Sequence, residues 1–236
     1  MKLAAPVLLS FSLACAGSPS SPDEASPQPA SAPAPAPAPA SDPAPAPDPA
    51  SLAVTPFEDE SGNYGYRSES GEIVIEPKYI MASEFTGDVA SVVGDGGFWF
   101  IDRRGETLAQ AFVVDNAADE FVEGRARIVE GKRAMARYGF IASDKRIVVA
   151  PSWSWLLPYS EGLAPVCKDC VHEQIDEYSM MKGGTWGYID LDGKVVIEPR
   201  FSAAEPFVDG RASVVEGGRS FVIGPDGAEL GAARKK

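Results

Sequence analysis

The chain has 236 residues, with 34 acidic against 21 basic side chains and a net charge of -13. That balance excludes nucleic acid as a partner, because affinity for a phosphate backbone comes mostly from Lys and Arg neutralising it. The first fifty residues are dominated by Pro, Ala and Ser and cannot build a core, so the foldable part is shorter than the chain and one domain suffices.

At the N-terminus Lys2 precedes an apolar run, Leu3 to Ala14, that is far shorter than the roughly 20 residues a spanning helix needs. It reads as a signal peptide over residues 1–14. Ser12-Leu13-Ala14-Cys15 resembles the lipobox of bacterial lipoproteins, with Ser12 where that motif usually has Leu. The resemblance implies that Cys15 carries lipid and becomes the mature N-terminus. Ala14-Cys15-Ala16 is also an A-x-A cleavage site, which would give a soluble exported product. Residues 15–51 continue as a Pro/Ala tether near polyproline II, able to span about 110 Å at about 3.1 Å per residue. The expected address is therefore outside the cytoplasm, on a membrane through the lipid or else free in the periplasm or medium.

Residues 52–230 repeat themselves, leaving 231–236 as a short basic tail. A first block, aromatic or Val to Gly or Lys five positions on, occurs at Tyr66, Phe100, Phe140, Tyr188 and Val222. A second is "EIVIEPKY" from Glu72, "RIVVAPSW" from Arg146 and "KVVIEPRF" from Lys194. A third is "EFTGDVASVV" from Glu84, "EFVEGRARIV" from Glu120, "PYSEGLAPVC" from Pro158 and "PFVDGRASVV" from Pro206. The same order recurs about four times with a truncated fifth copy, the mark of a repeat architecture.

Each block predicts β-structure. Alternation places Ile73 and Ile75 on one face of a strand, and Pro77, Pro151 and Pro199 are expected to end their strands for want of an N–H. Asp192-Gly193 and Asp226-Gly227 predict hairpin turns. In the third block Ala126 with Ile128 and Ala212 with Val214 point inward while the Arg and Ser neighbours point out; Pro165 in such an outward position predicts an edge or interrupted strand. Phe85, Phe121, Tyr159 and Phe207, with Tyr79, Trp153 and Phe201, are the expected core filling. The fold class is all-β, antiparallel hairpin or three-strand repeats stacked as a solenoid or propeller-like body.

The stretch Trp186 to Phe201 carries nearly all of "WGYID-x-x-GK-x-(V/I)-I-x-P-x-(F/Y)", and residues 63–230 resemble the WG-repeat family on that basis. Tyr64, Phe98, Arg137 and Ser220 stand at or near the Trp position in the other copies. The resemblance implies a β-repeat fold, commonly outside the cytoplasm, and no catalytic activity.

The repeat breaks in one connector. The interval from the inward Ala of block three to the next block-one position is ten, fourteen, twenty-four and ten residues in successive copies. The long one contains Cys167 to Gly184, with both remaining cysteines and the lone His172. Three readings fit: a disulfide between Cys167 and Cys170, suited to an oxidising compartment and leaving Cys15 for lipid; zinc held by Cys167, Cys170 and His172 with Asp169, Glu173 or Asp176; or free thiols and redox work. No metal or cofactor is assigned. Trp155, standing where Ala203 and Met81 stand in other copies, either packs beneath this connector or stacks on a sugar.

Asp190, Asp192 and Glu198 resemble part of a calcium loop, which a hairpin turn explains equally. Asp119-Glu120 reads as a solvated acidic face. Hydrolase, phosphate-loop and zinc-protease motifs are missing from the sequence, so no catalytic residue is assigned. The expectation is a non-catalytic envelope protein that binds a protein partner, alternatively a glycan or cell-wall polymer, with Trp155 and His172 as the weak binding candidates.

Overall fold

A computed structural model describes residues 53–175 and 178–232. The signal peptide, Cys15, the tether, Asp176 and residues 233–236 of the basic tail lie outside the described residues. The rest is antiparallel β-structure: five main sheets taken in chain order, two two-stranded hairpins (Val113–Val114 with Ala117–Ala118, and Val171–Ile175 with Tyr178–Lys182) and one 3₁₀ turn at Arg133–Met135. Sheet 1 contains Val54–Glu58, Tyr64–Ser68 and Ile73–Tyr79; sheet 2 contains Met81–Ala82, Ala90–Gly94, Gly97–Ile101 and Thr107–Gln110. Sheet 3 contains Arg125–Glu130, Arg137–Ala142 and Ile147–Trp153; sheet 4 contains Trp155–Leu156, Leu163–Lys168, Thr185–Asp190 and Val195–Phe201. Sheet 5 contains Ala203–Ala204, Ala212–Glu216, Arg219–Ile223 and Glu229–Ala232.

The sheets are out of phase with the sequence blocks. The third block of one copy pairs with the first block of the next, as Leu163–Lys168 does with Thr185–Asp190. A single sequence copy therefore cannot complete a sheet, and neighbouring copies are obliged to fold together.

Four hydrophobic cores lie between consecutive sheets. Tyr66 and Ile75 meet Val92 and Ile101 between sheets 1 and 2; Phe100 meets Ile128 and Ile141 between sheets 2 and 3. Phe140 and Val149 meet Tyr159 and Val166 between sheets 3 and 4; Tyr188 and Phe201 meet Phe207 and Val214 between sheets 4 and 5. None of the four joins the first sheet to the fifth, so the body is an open, solenoid-like stack.

The Pro of the second block does not end its strand. Ile73–Tyr79, Ile147–Trp153 and Val195–Phe201 run through Pro77, Pro151 and Pro199, which sit in register shifts such as that between Trp186↔Phe201 and Tyr188↔Ile197. The extra residues bulge over the neighbouring strand, where the missing N–H is not needed. They fold down onto a glycine. A Cβ at Gly65, Gly139 or Gly187 would stand 2.7, 2.9 or 2.7 Å from the nitrogen of Pro77, Pro151 or Pro199. The glycine and the proline of the motif are thus one device: one strand crosses the other at a height that admits no side chain.

A second shift, between Tyr66 and Arg67, undoes the expected face of Ile73. Ile75 is buried but Ile73 is exposed, because the bulged Val74 reverses the alternation. Pro165 also departs from expectation. It is buried in an inner strand opposite Tyr188; its carbonyl accepts the Leu157 amide at 3.0 Å just beyond the two-residue strand Trp155–Leu156, and only the reciprocal bond of that pair is lost. Arg127 does not point out: it is buried and paired with Asp119, so Asp119 is no solvated carboxylate.

Candidate functional site

Two contacts recur at the junctions between sheets: the first at all four, the second at the junctions of sheet 3 with sheet 4 and of sheet 4 with sheet 5. The first is aromatic: Tyr66 with Phe85, Phe100 with Phe121, Phe140 with Tyr159 and Tyr188 with Phe207, at centroid separations of 4.9, 5.6, 4.6 and 4.9 Å. The first member belongs to the first-block strand of one sheet and the second precedes the third-block strand of the next. Such pairs contribute about 0.5–1.5 kcal/mol beyond their buried area. Where the first member is Tyr its hydroxyl also donates across the junction, from Tyr66 to the Ser83 carbonyl and from Tyr188 to that of Glu205, both at 2.8 Å. Burial pushes both phenols well above their ordinary titration range.

The second contact is a ladder of carboxylates. Residues 123–124, 161–162 and 209–210 are tight two-residue turns in which both residues have positive φ, each closed by a bridge such as Val208↔Arg211. The amides of Glu161 and Gly162 donate to the two carboxylate oxygens of Glu123 at 2.8 and 2.9 Å. Those of Asp209 and Gly210 donate to Glu161 at 2.7 and 2.8 Å. Each acid caps the turn of the next sheet with two charge-assisted bonds.

The long connector folds as a hairpin, Val171–Ile175 against Tyr178–Lys182, which has no counterpart in the other sheets. Cys167 and Cys170 are joined as a disulfide at its base with a Cα–Cα distance of 5.9 Å, and both are buried. Among the described residues no group of His, Cys, Asp and Glu could hold a metal ion. Trp155 is half-buried. Its ring meets Phe112, Tyr138 and His172 edge-on at 5.5, 4.8 and 6.3 Å, while His172 itself is exposed. Below Phe112 lies the guanidinium of Arg127, 4.3 Å from the ring centroid, held by Asp119 at 2.6 Å. Trp155 thus ties the connector hairpin to the body.

Asp190 accepts the amides of Asp192 and Lys194 at 3.0 and 2.9 Å, and Asp102 does the same for Arg104 and Glu106. These acids organise their turns, with Gly193 and Gly105 at positive φ, and the calcium resemblance needs no ion.

Sequence reasoning passed over Trp99. It occupies the place of the covered glycine in sheet 2, opposite Val92 as Gly187 is opposite Val166. Thr107–Gln110 has no proline and does not fold over it. Trp99 consequently lines two adjoining grooves: one of about 600 Å³ with Lys78, Tyr79, Asp95 and Thr107, and one of about 330 Å³ with Leu108, Ile128, Ile147 and Pro151. Its indole N–H donates to the Asp95 carbonyl at 3.3 Å. The aligned absence of both Gly and Pro was the available signal.

Stacked antiparallel sheets joined by recurrent contacts define an all-β repeat protein. The model of the WG-containing repeat family matches residues 64–97, 138–169 and 186–219, and the chain is a WG-repeat protein. Each matched stretch begins two residues before the first-block aromatic and includes one Gly–Pro crossing; in the third copy the residue before the glycine is Tyr138 rather than Arg137. No curated protein matches the chain.

Proposed function

We propose that this WG-repeat chain is a non-catalytic protein of the cell envelope, anchored through lipid on Cys15 and offering its rigid body to a protein partner. The observation that carries the reading is the Val171–Lys182 hairpin. It is the longest insertion in the stack, fixed at its base by the disulfide and by Trp155, with Val171 60% exposed. An element anchored at its base and standing outside the core serves recognition better than packing.

Sheet 5 supplies the control. Its corresponding strands, Ala212–Glu216 and Arg219–Ile223, are joined by Gly217-Gly218 alone. Replacing Asp169–Gly184 with Gly-Gly and Cys167 with Val should leave the β-spectrum intact and abolish capture of a cross-linked partner by the full chain in its native membrane. Undiminished capture of the same partner contradicts the reading. Cys15→Ser should release the chain from the membrane.

The glycan alternative now rests on Trp99 rather than on Trp155, because Trp99 lies where two open grooves meet. A net charge of -13 disfavours polyanionic polymers and leaves neutral sugars. Saturable binding of a neutral oligosaccharide, lost in Trp99→Ala, would favour this reading. Thiol titration and metal analysis of the purified chain test the redox and zinc alternatives; a full disulfide without metal removes both.

A further inference from the structure

The outer face of sheet 5 repeats the receiving side of the two junctions before it, those of sheet 3 with sheet 4 and of sheet 4 with sheet 5, and no described residue covers it. Asp209 stands where Glu123 and Glu161 stand. Those two acids each hold two successive turn amides, whereas Asp209 is exposed and its carboxylate has no partner among the described residues. Val222 stands where Tyr66, Phe100, Phe140 and Tyr188 receive an aromatic ring from the following sheet. A groove of about 710 Å³ opens at that place, lined by Val208, Asp209, Ser213, Val222 and Leu230 among others. Val208 is 64% and Leu230 55% exposed, and both line this one groove.

We infer that this face docks a β-hairpin of another polypeptide, one with a tight two-residue turn whose amides are free and an aromatic residue two positions before that turn. The inference rests on the protein-binding reading above and specifies one of its surfaces. The internal junctions define the occupant's chemistry. Two N–H donors meet the Asp209 carboxylate, and a ring fills the space left where Val222 replaces Tyr or Phe. A second copy of this chain does not supply the hairpin, because Phe121, Tyr159 and Phe207, which precede its own such turns, are each packed against the sheet before. Asp209 has φ 53°, a conformation that Asn tolerates, so Asp209→Asn removes the charge without straining the turn.

The test uses the full chain and a fluorescent cyclic peptide carrying the sequence Ala203 to Val215, the hairpin that fills the preceding junction. Saturable binding is expected, weakened about tenfold by Asp209→Asn and by replacing the peptide's Phe with Ala, and unchanged by Trp99→Ala. Absence of saturation overturns the inference, as does equal binding by the parent and Asp209→Asn. Self-association of the chain that Asp209→Asn abolishes would also overturn it, by making a second copy the occupant. Loss of the cross-linked partner on hairpin replacement, together with failure of the cyclic peptide, would leave the proposed function standing and remove this surface alone.

Discussion

At the scale of single residues, the glycine of the WG pair is constrained by height rather than by φ. Gly187 has no positive φ, yet the chain at Pro199 crosses directly above its Cα. Gly187→Ala must push two backbone segments apart and is expected to cost about 3 kcal/mol or more, measured by urea denaturation. Its surface counterpart Gly210, where nothing lies near an added Cβ, is limited only by its φ of 70° and should cost less. Tyr188 supplies a second prediction. Its hydroxyl donates to the Glu205 carbonyl, so Tyr188→Phe should lose about 1 kcal/mol at neutral pH. Burial, then the charge of Glu205, raises the folded-state titration above the ordinary value of 10.0. The phenol's contribution is therefore complete below pH 10 and lost as pH rises beyond it, and the deficit of Tyr188→Phe should shrink in alkaline denaturation series.

At the scale of elements, the carboxylate rungs were invisible to pattern reading. The recurring Glu-Gly and Asp-Gly pairs were legible as part of a repeat, but nothing in the sequence shows that the acid reaches forward to the next turn, 38 residues on from Glu123 and 48 on from Glu161. Glu161→Gln keeps the side-chain length and removes one acceptor oxygen and the charge. It should cost about 1 kcal/mol of unfolding free energy in urea denaturation, with the loss independent of Trp99→Ala at the far junction. Strand identity was legible from alternation and from the aromatic spacing. Strand faces were not: a single bulge residue, Val74, turned Ile73 outward, and Pro77 continued a strand it was expected to close. Alternation assumes an unbroken ladder, and these sheets are built around breaks in it. The connector was legible as an insertion, its content as a possible disulfide, and its packing over Trp155 as one of two readings; its hairpin form was not, nor were Trp155's contacts with Phe112 and Tyr138, which come from other blocks.

At the scale of the whole molecule, the offset between sequence copy and sheet is the feature from which the rest follows. A copy contributes strands to two sheets, so each sheet is complete only in company, and the cores lie at the junctions rather than within the repeats. Stability in such a stack is a sum of nearest-neighbour terms, and damage at one junction should spread to the sheets on both sides of it and fade beyond. Phe207 is fully buried, belongs to sheet 5, and packs on Tyr188 of sheet 4. Hydrogen exchange of Phe207→Ala is the most direct test. Protection should fall together in Thr185–Asp190 and Ala212–Glu216 while Tyr64–Ser68 in sheet 1 remains as slow as in the parent. Loss confined to Ala212–Glu216 would contradict the shared-junction account.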